Sequence, residues 1–380
     1  MTPNERLLAA VSGQETDRIP VVPKIWVDLA AQLASTGLKQ VIEEPITALS
    51  VIADVGLDLD VDAVRQFHFP SRATVEEGGI VYEVNQRGRK LGPIDIAGGL
   101  STKLFDGADF DSYDPKVMAY HNHWHPPEPA VKNLADAAQI AVPDSSIFDE
   151  LGWADRQAVV ARRVGEKLAL IADLGSATMA FHVSMRGDMQ TALLDIIDQP
   201  EMVHAVMEKG VAIAIAKGRY WLDHGMKTLR LNDSVGNMSV LSPEHWKRFV
   251  YPHMKTVCDQ LHSYDSDAKI YCHICGNILP ILGLLVDTGV DCIGPLDPLG
   301  GMKITDVRDA VGCDVALMGG VDTQSFVNST AAEIAAEARR CIRDAGVGGG
   351  FVLGSGCVIP RIARRENLAA LVEAAHQEAA

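Results

Sequence analysis

The sequence predicts an α/β fold, a single (β/α)8 TIM barrel with an N-terminal helical extension, and three observations predict it. From about residue 165, short apolar, β-prone runs alternate with helical patterns; no composition break or low-complexity stretch marks a linker; and nearly every one of those runs ends in a polar or reactive residue. Alternating strands and helices imply parallel pairing through right-handed crossovers. In a barrel all strand C-termini open onto one face, so residues distant in sequence converge there. An open doubly wound sheet is the alternative, but no glycine-rich phosphate fingerprint follows the first strand. The 380 residues are 47% hydrophobic, enough for a large core, and such barrels run well past ~200 residues as one unit. One domain over 1–380 is therefore expected, with 1–60 as helical cover, the barrel over 61–380, and a loop insertion at about 80–145.

The elements follow in order. Thr2 can cap a first helix, Pro3 takes its first position and Glu5 closes a capping box. Gln14–Pro23 reads as a loop, and helical patterns continue to about Val55. Val61–Phe67 is an early strand, and Ile80–Val84 opens a hairpin with Gln86-Arg87-Gly88 as its turn. The regular strands are Leu168–Ala172, Thr228–Leu231, Lys269–His273, Cys292–Pro295, Val315–Met318 and Gly350–Leu353. Between them, Ser242-Pro243-Glu244 starts one helix, and Gly346 stops another over Asn328–Asp344. The strand ends carry Asn232, Asp233, His273, Cys275, Asp297, Asp322 and Cys357. Asp and Asn also cap following helices, so any one of them alone would say little.

Charge narrows the partners. With 34 basic against 50 acidic residues the net charge is −16, and nucleic acid or an anionic membrane would be repelled. No apolar run approaches the ~18 residues that span a bilayer, and the N-terminus reads as a helix in place of an export signal. The expected home is the cytoplasm, where the seven cysteines stay reduced and are better candidates for metal ligands than for disulfides.

Tyr271-Cys272-His273-Ile274-Cys275-Gly276-Asn277 carries the chemistry. Residues two apart on a strand share a side, so His273 and Cys275 can aim at one point while Cys272 aims away. Nitrogen and sulfur donors of this kind suit Zn²⁺. A third ligand is available in Gly354-Ser355-Gly356-Cys357, at the end of the last strand. Three protein ligands leave a fourth position for substrate, the catalytic pattern. Against this, a cysteine is often a small core hydrophobe and a lone H-x-C pair arises by chance. Cys258, Cys292, Cys313 and Cys341 read as structural. His121-Asn122-His123-Trp124-His125 competes as a metal site or as part of a substrate lid, with surface loop as the plainer alternative.

Several motifs also carry a family resemblance over almost the whole chain. Glu5-Arg6-Leu7-Leu8-Ala9-Ala10 with Asp17-Arg18-Ile19-Pro20, then Leu241-Ser242-Pro243-Glu244 with Tyr251-Pro252, and Arg365-Glu366-Asn367-Leu368, resemble signatures of the uroporphyrinogen decarboxylase superfamily. The resemblance implies a (β/α)8 barrel. Within it the chain departs from the decarboxylase itself. Pro23-Lys24-Ile25-Trp26-Val27-Asp28 lacks the arginines that grip substrate carboxylates there, and Phe67-His68-Phe69 stands where the decarboxylase has an aspartate. Trp26 and His68 are accordingly substrate-binding candidates.

The chain looks like the zinc-dependent methylcobamide:thiol (coenzyme M-type) branch, which has H-x-C-G at one strand end and a late G-C at another. That implies zinc on His273, Cys275 and Cys357, with a zinc-activated thiol exchanging a methyl group with a corrinoid such as methylcobalamin. Asn232, Asp233 and Asp297 are candidates for orienting His273 or the substrate, and His182 and Arg186 for meeting a substrate anion. The alternative direction moves a methyl group from an ether or amine donor to a cobalt(I) corrinoid; decarboxylation and a catalytically silent barrel rank behind both. The sequence lacks the D-x-H-x-x-G pattern of cobalamin-binding domains, so the corrinoid is expected on a separate corrinoid protein or free.

Overall fold

The computed structural model describes residues 1–84, 88, 90–94, 110–121 and 128–378. Among them, seven parallel strands run in the order β1 (Ala63–Gln66), β5 (Ala169–Ser176), β6 (Thr228–Asn232), β7 (Lys269–His273), β8 (Cys292–Leu296), β9 (Ala316–Val321) and β10 (Phe351–Ser355). The expected strands are all present, most of them ending one to three residues beyond the expected boundary. β5 reaches Ser176 through a register shift between Asp173 and Gly175 that lets it continue beside β6.

The sheet closes through a segment read above as loop. Val21 bridges Leu353 in parallel, Val22 N donates to the Leu353 carbonyl at 2.7 Å, and Leu353 N donates to that of Pro20 at 2.9 Å. On the other side Asp62 N donates to the Val21 carbonyl at 2.9 Å. Residues 20–22 thus take the eighth position, between β10 and β1. A stretch this short between two prolines shows no periodicity from which a strand could be read.

The first helix, Pro3–Val11, forms with the expected capping box at Thr2 and Glu5. Its Leu7, Ala10 and Val11 join Val22, Ala63, Ala169, Ile171, Tyr271, Cys292, Ala316, Met318 and Val352 in one buried cluster. These are inward residues of the strands, so the helix plugs the N-terminal end of the barrel. A separate antiparallel sheet holds β2 (Ala73–Glu77), β3 (Ile80–Val84) and β4 (Lys90–Pro93). The expected hairpin is there, its turn residues Gln86 and Arg87 lying outside the described residues. β2 is an addition, joined to β3 by Gly78-Gly79 at φ 60 and 79°, where glycine alone is at ease.

Candidate metal centre

Alternation along β7 puts Tyr271, His273 and Cys275 on the inner side. Cys272 faces outward into the core against the Met254 thioether at 3.7 Å. Beyond Cys275 the chain turns at Gly276, whose φ of +87° disfavours any side chain. The loop after β8 abuts this turn: a Cβ on Gly300 would lie 2.8 Å from the Gly276 backbone. Cys357 arrives on the loop after β10, which packs equally closely, since a Cβ on Gly356 would lie 2.9 Å from Asp297 Oδ1. Glycines thus let three loops meet edge to edge at the C-terminal face.

Here the donor atoms converge. His273 Nε2 lies 3.1 Å from Cys275 Sγ, and Cys275 Sγ lies 3.2 Å from Cys357 Sγ, with the three within 4.8 Å of one another. The sulfurs are too far apart for a disulfide of ~2.05 Å and all seven cysteines are free. The hydrogen bond between Cys275 and Cys357 pulls the Cys357 thiol below its ordinary range and, with burial, pushes that of Cys275 up. Burial, reinforced by Lys24, Arg230 and Arg65, holds His273 well below the usual imidazole range. His273 is therefore a neutral imidazole, the form that binds metals.

Beneath these donors the barrel interior is polar. Lys24 Nζ lies 3.1 Å from His273 Nδ1, and the Tyr271 hydroxyl lies 3.4 Å from it. Arg230 pairs with Asp173 and donates to Asn232 Oδ1 at 2.9 Å, while Arg65 lies against the Phe67 ring. Lys24, Arg65, Arg230 and Tyr271 were not singled out from the sequence. Counting back by two from Asn232 and His273 reaches Arg230 and Tyr271, so alternation alone places both on the inner face.

The other candidates divide. Asn232 is paired in register with His273, and its amide donates to Ser176 Oγ at 3.0 Å. Asp297 stands beside the Cys357 loop, accepts from Leu299 N at 3.0 Å and is raised by burial and by Cys357. Trp26, half-buried, packs edge-on to Phe67 with centroids 4.4 Å apart. Asp233 does not orient His273: its Oδ1 accepts from Ala180 N at 2.8 Å, bracing the start of the helix Met179–Arg186, and the imidazole's free nitrogen faces Lys24 and Tyr271 instead.

His68, expected at the substrate, is buried between Trp153 and Trp221, with ring centroids 5.0 and 4.8 Å away, and bonds Gln157 at 3.2 Å. Burial drives its pKa down to about 3, so it is a neutral core residue. His182 and Arg186 are likewise spent inside the fold: both bind Asp195, at 3.2 and 2.6 Å, tying their helix to Met189–Asp198. The buried Asp195 carboxylate takes His182 Nε2 and the Arg186 guanidinium inside the fold, away from the strand-end donors. Of the histidine-rich loop, His123 and His125 lie outside the described residues. His121 is buried, with Nδ1 3.2 Å from the Met118 carbonyl and 3.5 Å from Lys217 Nζ and with Nε2 3.1 Å from the Ser176 carbonyl, so both ring nitrogens face groups inside the fold.

The fold and this site define a class: a parallel α/β barrel with a nitrogen and two sulfur donors gathered at its C-terminal face. The model of the uroporphyrinogen decarboxylase (URO-D) family matches residues 120–378, and the chain belongs to that family. It is 24% identical over 219 residues to the methylcobamide:CoM methyltransferase MtbA of Methanosarcina acetivorans, covering 57% of this chain and 60% of that one. It is also 27% identical over 259 residues to the uroporphyrinogen decarboxylase of Alcanivorax borkumensis, covering 64% and 69%. Among solved structures, a methyltransferase from Methanosarcina mazei superposes with a TM-score of 0.71 over 99% of both chains, at 17% identity. That likeness shows the fold. The chain spans 60% of the length of the M. acetivorans relative in their match. No helix among the described residues is long and apolar enough to cross a membrane.

Proposed function

We propose that this chain is a zinc-dependent methyltransferase that moves a methyl group between a corrinoid and a thiol. The observation that carries the proposal is the convergence of His273 Nε2, Cys275 Sγ and Cys357 Sγ from two strand ends. The set fits zinc chemically, with one imidazole and two thiols. Tetrahedral Zn–S bonds of ~2.3 Å separate two sulfurs by about 3.8 Å, so the pair at 3.2 Å has to open by roughly half an ångström. Zinc held there would supply an open fourth position that takes a substrate sulfur and keeps it deprotonated, where a free thiol of pKa ~8.5 is only a few per cent thiolate.

In such a transfer the substrate sulfur would take the methyl group, and the electron pair of the broken carbon–cobalt bond would stay with the corrinoid as cobalt(I). The chain's own residues prepare that step. Burial keeps His273 neutral, and Lys24 and Tyr271 hold its Nδ1 so that Nε2 faces the cysteines. Two thiolates and a neutral imidazole balance a divalent ion, so an added sulfur keeps its electron density. Asn232, in register with His273, and Asp297, against the Cys357 loop, are the candidates for orienting substrate, and Trp26, edge-on to Phe67, is the candidate for an apolar contact with it. The corrinoid arrives on a separate protein or free, and the methylcobamide and coenzyme M in the relative's name support both the carrier and the thiol.

Metal analysis and cobalt spectroscopy test this. Purified protein should carry one zinc per chain, and methylcobalamin should be consumed on adding a suitable thiol, saturating with thiol and depending on zinc. A thiol panel without turnover, together with methylation of cobalt(I) by a methoxy aromatic, would reverse the direction of transfer. Absence of bound zinc would overturn the reading.

A further inference from the structure

We infer that Lys24 is a positioning residue for the metal ligands, a single residue that registers both ligand-bearing strands. The inference rests on the metal-centre reading above. Lys24 is 1% exposed, an expensive place for an amine that makes no compensating contact. Among the described residues no carboxylate lies within ion-pair distance of it; what its Nζ meets is His273 Nδ1 at 3.1 Å, with the Tyr271 ring 5.8 Å away. The amine is thus aimed at the one nitrogen of His273 that the metal leaves free. A metal-bound histidine is oriented through that second nitrogen, ordinarily by a carboxylate, carbonyl or water. Here an amine stands in that position, where its lone pair has to accept from the Nδ1–H.

The main chain of the same residue reaches the other ligand. Lys24 N donates to Ser355 Oγ at 3.0 Å, and Ser355 Oγ donates in turn to the Cys357 carbonyl at 2.6 Å. The Lys24 carbonyl accepts from Ile359 N at 3.2 Å, so the Cys357 loop is tied to Lys24 on both sides of the cysteine. Lys24 stands two residues past Val22, the end of the closing segment at residues 20–22, which is bonded to β10 through Leu353 and to the approach to β1 through Asp62. Closure of the barrel and the spacing of His273 from Cys357 are therefore set by one short stretch of chain. Tyr271 is the weaker support for the imidazole, at 3.4 Å and on the same strand as His273, so it carries no register between strands.

The test uses the full chain with Lys24→Met, which keeps the length and apolar stem and removes the amine, and Ser355→Ala, which cuts the main-chain arm. Zinc affinity is measured by competition with a chromophoric chelator, and ligand geometry by the ligand-field bands of cobalt(II)-loaded protein. Lys24→Met should weaken zinc binding roughly 10–100-fold and shift the cobalt bands, since loss of an outer-shell partner has that effect. The melting temperature of the metal-free protein should not fall. Ser355→Ala should weaken binding in the same direction. If Lys24→Met fails to fold, Lys24→Gln, whose amide oxygen can accept from the Nδ1–H, should fold and bind with affinity between wild type and the Ser355→Ala loss. Wild-type affinity and an unchanged cobalt spectrum in Lys24→Met would overturn the inference, as would a loss that merely tracks a collapse in melting temperature. A wild-type chain that binds no zinc would instead overturn the metal-centre reading itself.

Discussion

Asp62 holds the barrel shut, and Asp62→Asn should show it. The carboxylate is fully buried, accepting from Arg6 Nη1 at 2.6 Å, from Arg18 Nη1 and Nη2 at 2.6 and 3.0 Å, and from Val21 N at 2.8 Å. It therefore joins the plugging helix, the closing segment and the approach to β1. Removing one partner of a buried ion pair costs ~3–5 kcal/mol. Arg6 keeps Asp17 at 2.6 Å and Arg18 is 20% exposed, so the lower end, ~3 kcal/mol, is expected. At ~2.1 cal/mol/K per residue, 380 residues give an unfolding entropy near ~0.8 kcal/mol/K, so the melting temperature should fall by about 4 °C. The control is Asp17→Asn, whose side chain is 42% exposed and whose pairing should be worth under ~1 kcal/mol, about 1 °C. Calorimetry at low and at half-molar salt makes the comparison, because a buried pair is screened little. A shift for Asp62→Asn no larger than that of Asp17→Asn would refute this account of closure.

Other perturbations follow from the same geometry. Cys275→Ala or Cys357→Ala should abolish stoichiometric zinc while leaving a folded barrel, checked by metal analysis with circular dichroism; full zinc in Cys357→Ala would refute the ligand set. Incubation with uroporphyrinogen should release no carbon dioxide, because the stretch Pro23-Lys24-Ile25-Trp26-Val27-Asp28 holds no arginine to pair with its carboxylates; coproporphyrinogen at a steady enzymatic rate would sink the methyltransferase reading. Arg186→Met should lower stability by ~3 kcal/mol, the low end for breaking a buried pair because Asp195 keeps His182 and Gln199, and leave thiol KM unchanged once folded; a KM effect without destabilisation would return Arg186 to the substrate site. Burial holds Asp233 up at about 6 against an ordinary 3.8, so the folded chain favours its protonated form. The stability it contributes is present below about pH 4 and lost as pH rises through about 6, some 3 kcal/mol in all. Asp233→Asn should flatten denaturant midpoints across that window, and an unchanged slope would count against the burial argument.

What the sequence made legible, and what it did not, follows from the range of each interaction. β7 was read from Lys269 to His273 as it stands, because β-prone alternation is local and its end is marked by chemistry. The convergence of His273, Cys275 and Cys357 was legible for the same reason: strand ends converge in this fold, and a histidine and two cysteines are conspicuous. His68 misled because Phe67-His68-Phe69 specifies alternation without saying what each side meets; Trp153 and Trp221, which enclose it, lie more than eighty residues away in sequence. His182 and Arg186 misled likewise, since neither residue announces that Asp195, on the following helix, will consume it. Lys24 escaped notice because its partners come from β7 and β10, and its own segment is too short to show a strand's rhythm.

The motifs that carry the family resemblance act on the frame, and this separates two levels of inference. Arg6 in the first motif and Arg18 in the second meet at Asp62, and Arg6 also binds Asp17. In the C-terminal motif, Asn367 is buried and donates to the Phe326 and Ser329 carbonyls at 3.0 and 2.9 Å, fixing the last helix. None of these contacts touches His273, Cys275 or Cys357. The family match runs over residues 120–378, which hold the final helix but not the closure, and both a decarboxylase and a methyltransferase are among the relatives, so membership of the family leaves the chemistry at the strand ends open. Evidence about function has to come from the C-terminal face. The closing segment is where the two levels meet, for Val21 and Val22 complete the barrel and the next residue but one, Lys24, reaches both His273 and the Cys357 loop.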